Sequence, residues 1–451
     1  MSSFRDDLAA ASDWAADYLE RVADLPVAAA VQPGDVRARL PEAPPEQGEP
    51  FEALLRDLDE LAQIGGNPDG GVSRVAFSEA DREGRAWVNE RMGELGLELM
   101  IDPAGNSIGR YPGREPLPPI ALGSHTDTVP NGGRFDGALG VLGALACARA
   151  LRQAGMKLRH PLEVINFQSE EAVVSGTLGS RAMAGLVLPA TLDQRADDGR
   201  TVAEHMRAAG IEPEGLLQAA RPPGSLAAYL ELHVEQGGRL AAERIPIAVV
   251  EGIVGIRRYR AHFQGFANHA GTTPMEQRDD ALVKAAPYVL AVRDVALSHG
   301  IVGTVGTLTV FPGASNVIPG QVTLSVELRG MDEVVLDAAQ EELVELAATG
   351  GGELAPLTRK AAVPSDQRLV ELLAGACEAE GLTVLRMSSG AGHDAMSMAS
   401  IAPEAMLFAP SMGGISHSPD EYTGPEQCVL AVNALLAALL RVDEDFDRGA
   451  A

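Results

Sequence analysis

The chain has 451 residues, 46% hydrophobic and 22% charged, enough apolar mass for two or three domains with a large core. With 63 acidic against 36 basic side chains the formal net charge is −27, which repels phosphate backbones and excludes nucleic acid as an expected partner. The apolar runs are broken by Gly, Arg or Asp short of a membrane span, and no basic-then-apolar leader opens the chain, so no membrane partner and a cytoplasmic location are expected.

In chain order, Phe4, Leu8, Ala11, Ala15, Tyr18 and Val22 recur in steps of four and three, one apolar stripe of an amphipathic helix. Leu25-Pro26 ends it, and four prolines between Pro41 and Pro50 predict a stiff extended connector. From about Phe51 strand-like and helix-like segments alternate. Residues 119–124 (PIALGS), 162–168 (LEVINFQ), 227–232 (AAYLEL) and 405–409 (AMLFA) read as strands, with a Gly/Ala-rich helix over 137–153. The alternation predicts an α/β fold, a mainly parallel sheet with helices on both faces.

Residues 255–364 have a different texture. Strands are expected over 258–264, 304–310 and 321–329 and helices over 280–297 and 332–348, with a further strand near Leu354. This βαββα order predicts an α+β, ferredoxin-like insertion that splits the larger domain into 51–254 and 365–451. Cys147, Cys377 and Cys428 lie in apolar helix-like stretches without CxxC spacing and read as core residues. Only three lysines occur, Lys157, Lys284 and Lys360.

The residues immediately after the strands are the informative ones. PIALGS runs into His125-Thr126-Asp127 and then Arg134-Phe135-Asp136; LEVINFQ into Ser169-Glu170-Glu171; AAYLEL into His233-Val234-Glu235-Gln236; AMLFA, after a glycine turn, into Ser416-His417. In an open α/β sheet the C-terminal strand ends form one ligand-binding edge, so four strands deliver imidazoles and carboxylates to a common place. Three histidines, an aspartate and a glutamate suffice for two borderline divalent cations when one carboxylate bridges. Asp127, two residues beyond His125, is placed to accept the second imidazole N–H, and of the Glu170–Glu171 pair one can ligate while the other serves as general base. His160, His205, His262 and His299 read as structural histidines.

The strings GSHTDTVPNGGRFDGALGVL, SEEA, ELHVEQG, GFANHAGTTPM, SNVIPG, SGAGHDAM and GGISHSPDEYT resemble the M20-type metallohydrolases, in particular the branch of N-carbamoyl-L-amino-acid hydrolases and allantoate amidohydrolases. The resemblance runs from about Phe51 to the C-terminus. It implies a dinuclear centre (Zn²⁺ or Mn²⁺, with Co²⁺ or Ni²⁺ as alternatives), one metal on His125, Asp136 and His233 and the other on Asp136, Glu171 and His417, with Glu170 as general base. It further implies that the insertion is a lid and homodimerisation domain, that His269 is an electrophilic donor to the substrate, and that Gln236, Asn316, Arg329 and His393 contact it.

Two departures from the family pattern stand out. The stretch after the Glu pair, EEAVVSGTLGS, is shorter than usual and lacks an Arg-Phe, and Glu327 stands where an aspartate is usual. The first 60 residues resemble instead the N-terminal helical segment of the pyridoxal-phosphate-dependent aromatic-amino-acid decarboxylases. The Ser-x-His-Lys cofactor site of those enzymes is absent, so the segment is expected to be an oligomerisation arm and not a decarboxylase.

The expected activity is hydrolysis of the carbamoyl C–N bond of N-carbamoyl-L-amino acids. Allantoate hydrolysis, an M20 peptidase or deacylase, and a non-catalytic metal-binding protein are the alternatives.

Overall fold

A computed structural model describes residues 52–171, 174 and 176–446. The helix and proline connector expected in the first 50 residues, and the decarboxylase-like segment they belong to, lie outside these up to Phe51.

The elements of the larger sheet are β1 (Glu98–Ile101), β2 (Ser107–Tyr111), β3 (Ile120–His125), β4 (Leu162–Phe167), β5 (Ala228–Val234) and β6 (Ile247–Ile253). The smaller sheet contains β7 (Gly255–Gln264), β8 (Val302–Phe311), β9 (Gln321–Gly330) and β10 (Gly352–Lys360). The chain then returns to the larger sheet with β11 (Val363–Pro364), β12 (Val384–Ser389) and β13 (Glu404–Ala409). The helices used below are α1 (Glu52–Gln63), α2 (Glu79–Glu94), α3 (Ala138–Gln153), α4 (Leu178–Met183), α5 (Val202–Ala208), α6 (Arg239–Glu243), α7 (Ala281–His299), α8 (Glu333–Thr349), α9 (Gln367–Ala379), α10 (Asp394–Met398) and α11 (Pro425–Asp445).

The larger sheet has the order β1-β2-β4-β3-β5-β13-β6-β11, with β12 also pairing β6. Its centre, β4-β3-β5-β13, is parallel, and β2 and β6 flank it antiparallel. The central strands are buried throughout, so successive side chains enter two different cores. Leu122, Val164, Leu230, Leu232 and Leu407 pack under α1, α2, α3, α9 and α11; Ala121, Ile165, Tyr229, Met406 and Phe408 face the opposite side with α10 and Met183 of α4. A fully buried Leu or Ile side chain contributes about 1.5–3 kcal/mol, and dozens of such residues fix the sheet that carries the site.

The smaller sheet runs β10-β7-β9-β8, all antiparallel, with α7 and α8 on one face. In β9 the pattern has period two: Val322, Leu324, Val326 and Leu328 enter the core with the helices, while Gln321, Thr323, Ser325, Glu327 and Arg329 line the open face. The reading of 137–153, 162–168, 405–409 and 321–329 matches these elements to within a residue or two.

Two corrections arise here. β1, β2, β6, β11 and β12 were not anticipated; β1 (ELMI) is exposed along its whole length and offers no alternation to read. One apolar stretch does reach membrane-span length: α11, with mean hydropathy 1.4. Half of its apolar window is buried in the protein, where Val429, Val432, Leu435, Leu439 and Val442 pack into the helical layer, and this is what its composition serves. All three cysteines are free and buried, as core residues should be.

Candidate metal centre and active site

His125 closes β3, Glu170 and Glu171 follow β4, His233 is the penultimate residue of β5, and His417 lies in the loop after β13. Parallel strands end at one edge, so these side chains converge. Asp136 joins them from the turn that opens α3. There Gly137 has φ +63°, and a Cβ at this position would overlap the His125 ring. Gly133 is required for a similar reason, because a Cβ there would run into the Glu421 carboxylate. Ser169, Gln236 and His417 adopt positive φ (56°, 59° and 54°), backbone strain concentrated around one edge.

Three sets of ligand atoms lie within 4.8 Å of one another: His125–Asp136–His233, Asp136–Glu171–His417 and His125–Glu170–Glu171. Asp136 Oδ1 is 3.1 Å from His233 Nε2 and 3.7 Å from His125 Nε2, and its Oδ2 is 3.5 Å from His417 Nε2. Glu171 Oε1 is 3.0 Å from His417 Nε2, and Glu170 Oε2 is 3.8 Å from His125 Nε2. His125, Asp136 and His233 are buried, Glu170 and Glu171 half-buried and His417 exposed, so the cluster opens to solvent on the His417 side.

The surroundings set the tautomers. His125 Nδ1 lies 3.0 Å from the Asp127 carbonyl and His233 Nδ1 2.9 Å from the Val234 carbonyl. A carbonyl only accepts, so each Nδ1 carries the proton, and in the neutral ring each Nε2 lone pair faces the cluster. The Asp127 carboxylate was expected to take the His125 N–H; its Oδ1 stands 3.8 Å away, and the residue's own carbonyl takes that bond instead. The carboxylate is occupied elsewhere: it accepts the backbone N–H groups of Glu170 (3.2 Å) and Glu171 (3.0 Å) and so aims the glutamate pair. Burial, then Asp81, pushes its pKa up to about 7.

The residues fit divalent cations. Asp136 Oδ1 is a buried carboxylate oxygen without a hydrogen bond, flanked by the Nε2 atoms of His125 and His233. Burial first, then the carboxylates of Asp394, Glu171, Asp127 and Asp136, drive Glu170 well above the ordinary carboxylate range. Burial would raise Asp136 likewise, but positive charge beside it, carried by His233 first and then His125 and His417 when those rings are protonated, holds it well below that range. Carboxylates and imidazoles crowded this closely call for cations to compensate the charge.

Of the remaining expected residues, Gln236 comes to the cluster itself, its Nε2 donating to Asp136 Oδ2 (2.8 Å) and lying 3.5 Å from His417 Nε2. His393 is buried behind His233, ring centroids 4.5 Å apart in an edge-on contact, with Nε2 2.8 Å from Ser389 Oγ. Arg329 donates from Nη1 to the Gly390 carbonyl (2.6 Å) and from Nε to Glu327 (2.7 Å), spanning from the smaller sheet to the larger one.

His269 and Asn316 stay apart from the cluster. They are exposed neighbours in the smaller unit, where Ala270 N donates to the Asn316 carbonyl. His269 Nδ1 accepts the backbone N–H groups of Gly271 (3.0 Å) and Thr272 (3.2 Å), which leaves Nε2 as the protonated nitrogen facing outward. His160, His205, His262 and His299 take no part in the cluster.

Glu421 was missed. Its Oε1 accepts the N–H groups of Phe135 (2.9 Å) and Asp136 (3.0 Å), and its Oε2 accepts from Ser416 Oγ (2.9 Å), tying the Asp136 turn to the His417 loop. Its one signal in the sequence is its place four residues after His417.

Residues 121–441 match the model of peptidase family M20/M25/M40. The chain belongs to this family. It is 38% identical over 394 residues to an N-carbamoyl-L-amino acid amidohydrolase of Geobacillus stearothermophilus, covering 85% of this chain and 96% of that protein. It is 34% identical over 397 residues to an allantoate amidohydrolase of Bacillus subtilis, with 85% and 96% covered. A crystal structure of a hydantoinase/carbamoylase family amidase from Burkholderia multivorans superposes with a TM-score of 0.80 at 37% identity, over 87% of this chain and 97% of that one. Within family M20 the chain thus falls in the carbamoylase and allantoate branch, hydrolases of C–N bonds outside peptides.

Proposed function

We propose that this M20 chain is a dinuclear amidohydrolase that cleaves the carbamoyl C–N bond of N-carbamoyl-L-amino acids, releasing amino acid, ammonia and carbon dioxide. The observation that carries the reading is the Asp136 carboxylate, one oxygen toward His125 and His233 and the other toward His417, with Glu171 beyond. His125, Asp136 and His233 would hold one divalent cation and Asp136, Glu171 and His417 a second, of which Zn²⁺ and Mn²⁺ suit the donor set best. Such cations supply Lewis acidity at the scissile carbonyl and lower the pKa of water.

The chain's own residues do the rest. Glu170, held by the Asp127 carboxylate through its backbone N–H, takes a proton from the attacking water and returns it to the leaving nitrogen. His269 is fixed as an Nε2–H donor, the form needed to stabilise a tetrahedral oxyanion. Arg329 presents a guanidinium suited to a substrate carboxylate, with Asn316 and Gln236 as amide partners. His393 buttresses the His233 ring.

Because His269 bonds only within its own turn among the described residues, we read it as acting after lid closure or on a second copy. The smaller sheet supports a dimer: β8 is an edge strand with exposed Val302 and Phe311, and α7 exposes Val283, Leu290 and Leu297 at spacings of seven.

Ammonia release from N-carbamoyl-L-amino acids, allantoate and dipeptides, with and without chelator, tests the proposal. Chelator-sensitive release from the carbamoyl amino acids supports it; turnover confined to allantoate or to dipeptides moves the chain to that activity.

A further inference from the structure

Arg74, between α1 and α2, is only 1% exposed, a costly place for a cation. Among the described residues no carboxylate lies within ion-pair distance of its guanidinium, and every bond the guanidinium donates goes to a main-chain carbonyl. Nη1 donates to the carbonyls of Leu61 and Ile64 (2.8 Å each), at the C-terminal end of α1, where helix carbonyls run out of intrahelical partners and a cation is favoured. Nε donates to the carbonyl of Thr126 (2.6 Å). Burial lowers the pKa of Arg74 to about 10, with Asp81 and then Asp127 acting the other way, so the charge is kept at neutral pH.

The Thr126 carbonyl is the informative partner. It belongs to the planar peptide that links Thr126 to Asp127, just beyond the last β3–β4 pair, His125 with Phe167. Asp127 serves the cluster twice: its carbonyl faces His125 Nδ1, and its carboxylate accepts the N–H groups of Glu170 and Glu171. The backbone of Arg74 joins the same stretch, its N–H donating to Thr128 Oγ1 and its carbonyl accepting from Thr128 N (2.9 Å each). Two residues earlier, Val72 exchanges backbone bonds with Gly132, on the way to the Asp136 turn. Gly84 on α2 leaves room for the stem of Arg74; a Cβ there would stand 2.5 Å from Arg74 Cδ. An apolar side chain at position 74 would fill this space at a lower desolvation cost, but it would take the Nε donor away from Thr126.

We propose that Arg74 is a positioning residue of the metal centre. By pinning the Thr126–Asp127 peptide to the end of α1, it sets the direction of His125 and, through Asp127, of the Glu170–Glu171 pair. The inference rests on the cation-binding reading above and extends it to a side chain that touches none of the ligand atoms.

The test uses Co²⁺ as the probe, added to the chelator-stripped full chain and followed by its visible absorption and by chelator competition. Arg74→Met is expected to weaken Co²⁺ binding by about 10–100-fold and to alter the absorption of the saturated protein. Gly84→Ala keeps the charge and displaces the Arg74 stem, and should move both readouts in the same direction. Arg74→Lys, which keeps a charge and three donors, should recover part of the affinity lost in Arg74→Met. Circular dichroism and thermal melting establish which variants fold, and Gly84→Ala decides alone if Arg74→Met does not. Wild-type affinity and absorption in the deciding variant overturn the inference and make Arg74 a brace of the core only. A loss in Arg74→Met that Arg74→Lys does not lessen marks a packing defect and overturns it too. A wild type that binds no Co²⁺ defeats the metal-centre reading and the inference with it. Two bound Co²⁺ without turnover of any ureido substrate defeat the amidohydrolase reading alone.

Discussion

Each residue at the sheet edge has its direction fixed by a neighbour. His125 and His233 are oriented by carbonyls, the glutamate pair by Asp127, and Asp136 by Glu421, Gln236 and Ser416. Glu170→Gln keeps the shape and removes the proton acceptor. It is predicted to lower kcat by about 10²–10⁴-fold while metal content and KM change little; near-normal kcat would remove Glu170 from the mechanism. Glu421→Ala is predicted to act through the Asp136 turn, where two backbone N–H groups lose their acceptor. Metal affinity measured by chelator competition should fall by about 10–100-fold with the fold intact by circular dichroism, and unchanged affinity would contradict the role.

The ligand positions were legible because histidines and acids sit directly after β-branched or apolar runs, a pattern that survives without coordinates. Glu421 was not, because it acts on backbone N–H groups, which leave no trace in side-chain spacing. Asp127 was found for the wrong bond: spacing put it beside His125 but did not reveal that the backbone carbonyl would win.

At the scale of elements, burial on both sheet faces explains why the central strands read cleanly and the edge strands did not. β3, β4, β5 and β13 are continuous apolar runs, whereas β1 is exposed and β12 is only partly buried. One central strand carries a cost. Glu404 opens β13 with its carboxyl buried, and burial, partly countered by Ser365, raises its pKa to about 8. A carboxyl whose folded pKa exceeds its unfolded value stabilises below the unfolded value, near 4.5, and that contribution is lost as pH rises toward 8. Glu404→Gln should therefore raise Tm relative to wild type, by a few degrees at pH 8 and by progressively less toward pH 5. A Tm difference independent of pH would show that ionisation of Glu404 is not the cause.

For the whole molecule, two sheets divide the work. The larger carries the imidazole and carboxylate cluster, and the smaller sends Arg329 to the Gly390 carbonyl of the larger one but leaves His269 on an exposed turn. The exposed apolar stripe on α7 and the open edge of β8 give the proposed dimer its surface. Leu290→Asp combined with Leu297→Asp is predicted to yield monomers by light scattering and, if His269 serves the neighbouring copy, to lower turnover in parallel. Monomeric wild-type protein with full activity would contradict the dimer reading.

A dinuclear hydrolase is tested most sharply by titrating chelator-stripped protein with Mn²⁺ or Zn²⁺, following bound metal and ammonia release from an N-carbamoyl-L-amino acid in the same samples. Activity should rise from near zero to a plateau at two equivalents per chain, and the plateau should be lost in a variant with Asp136 replaced by Asn. Ammonia release independent of metal, or binding of two equivalents with no release from any ureido substrate, would show that the Asp136 cluster is not the catalytic centre proposed.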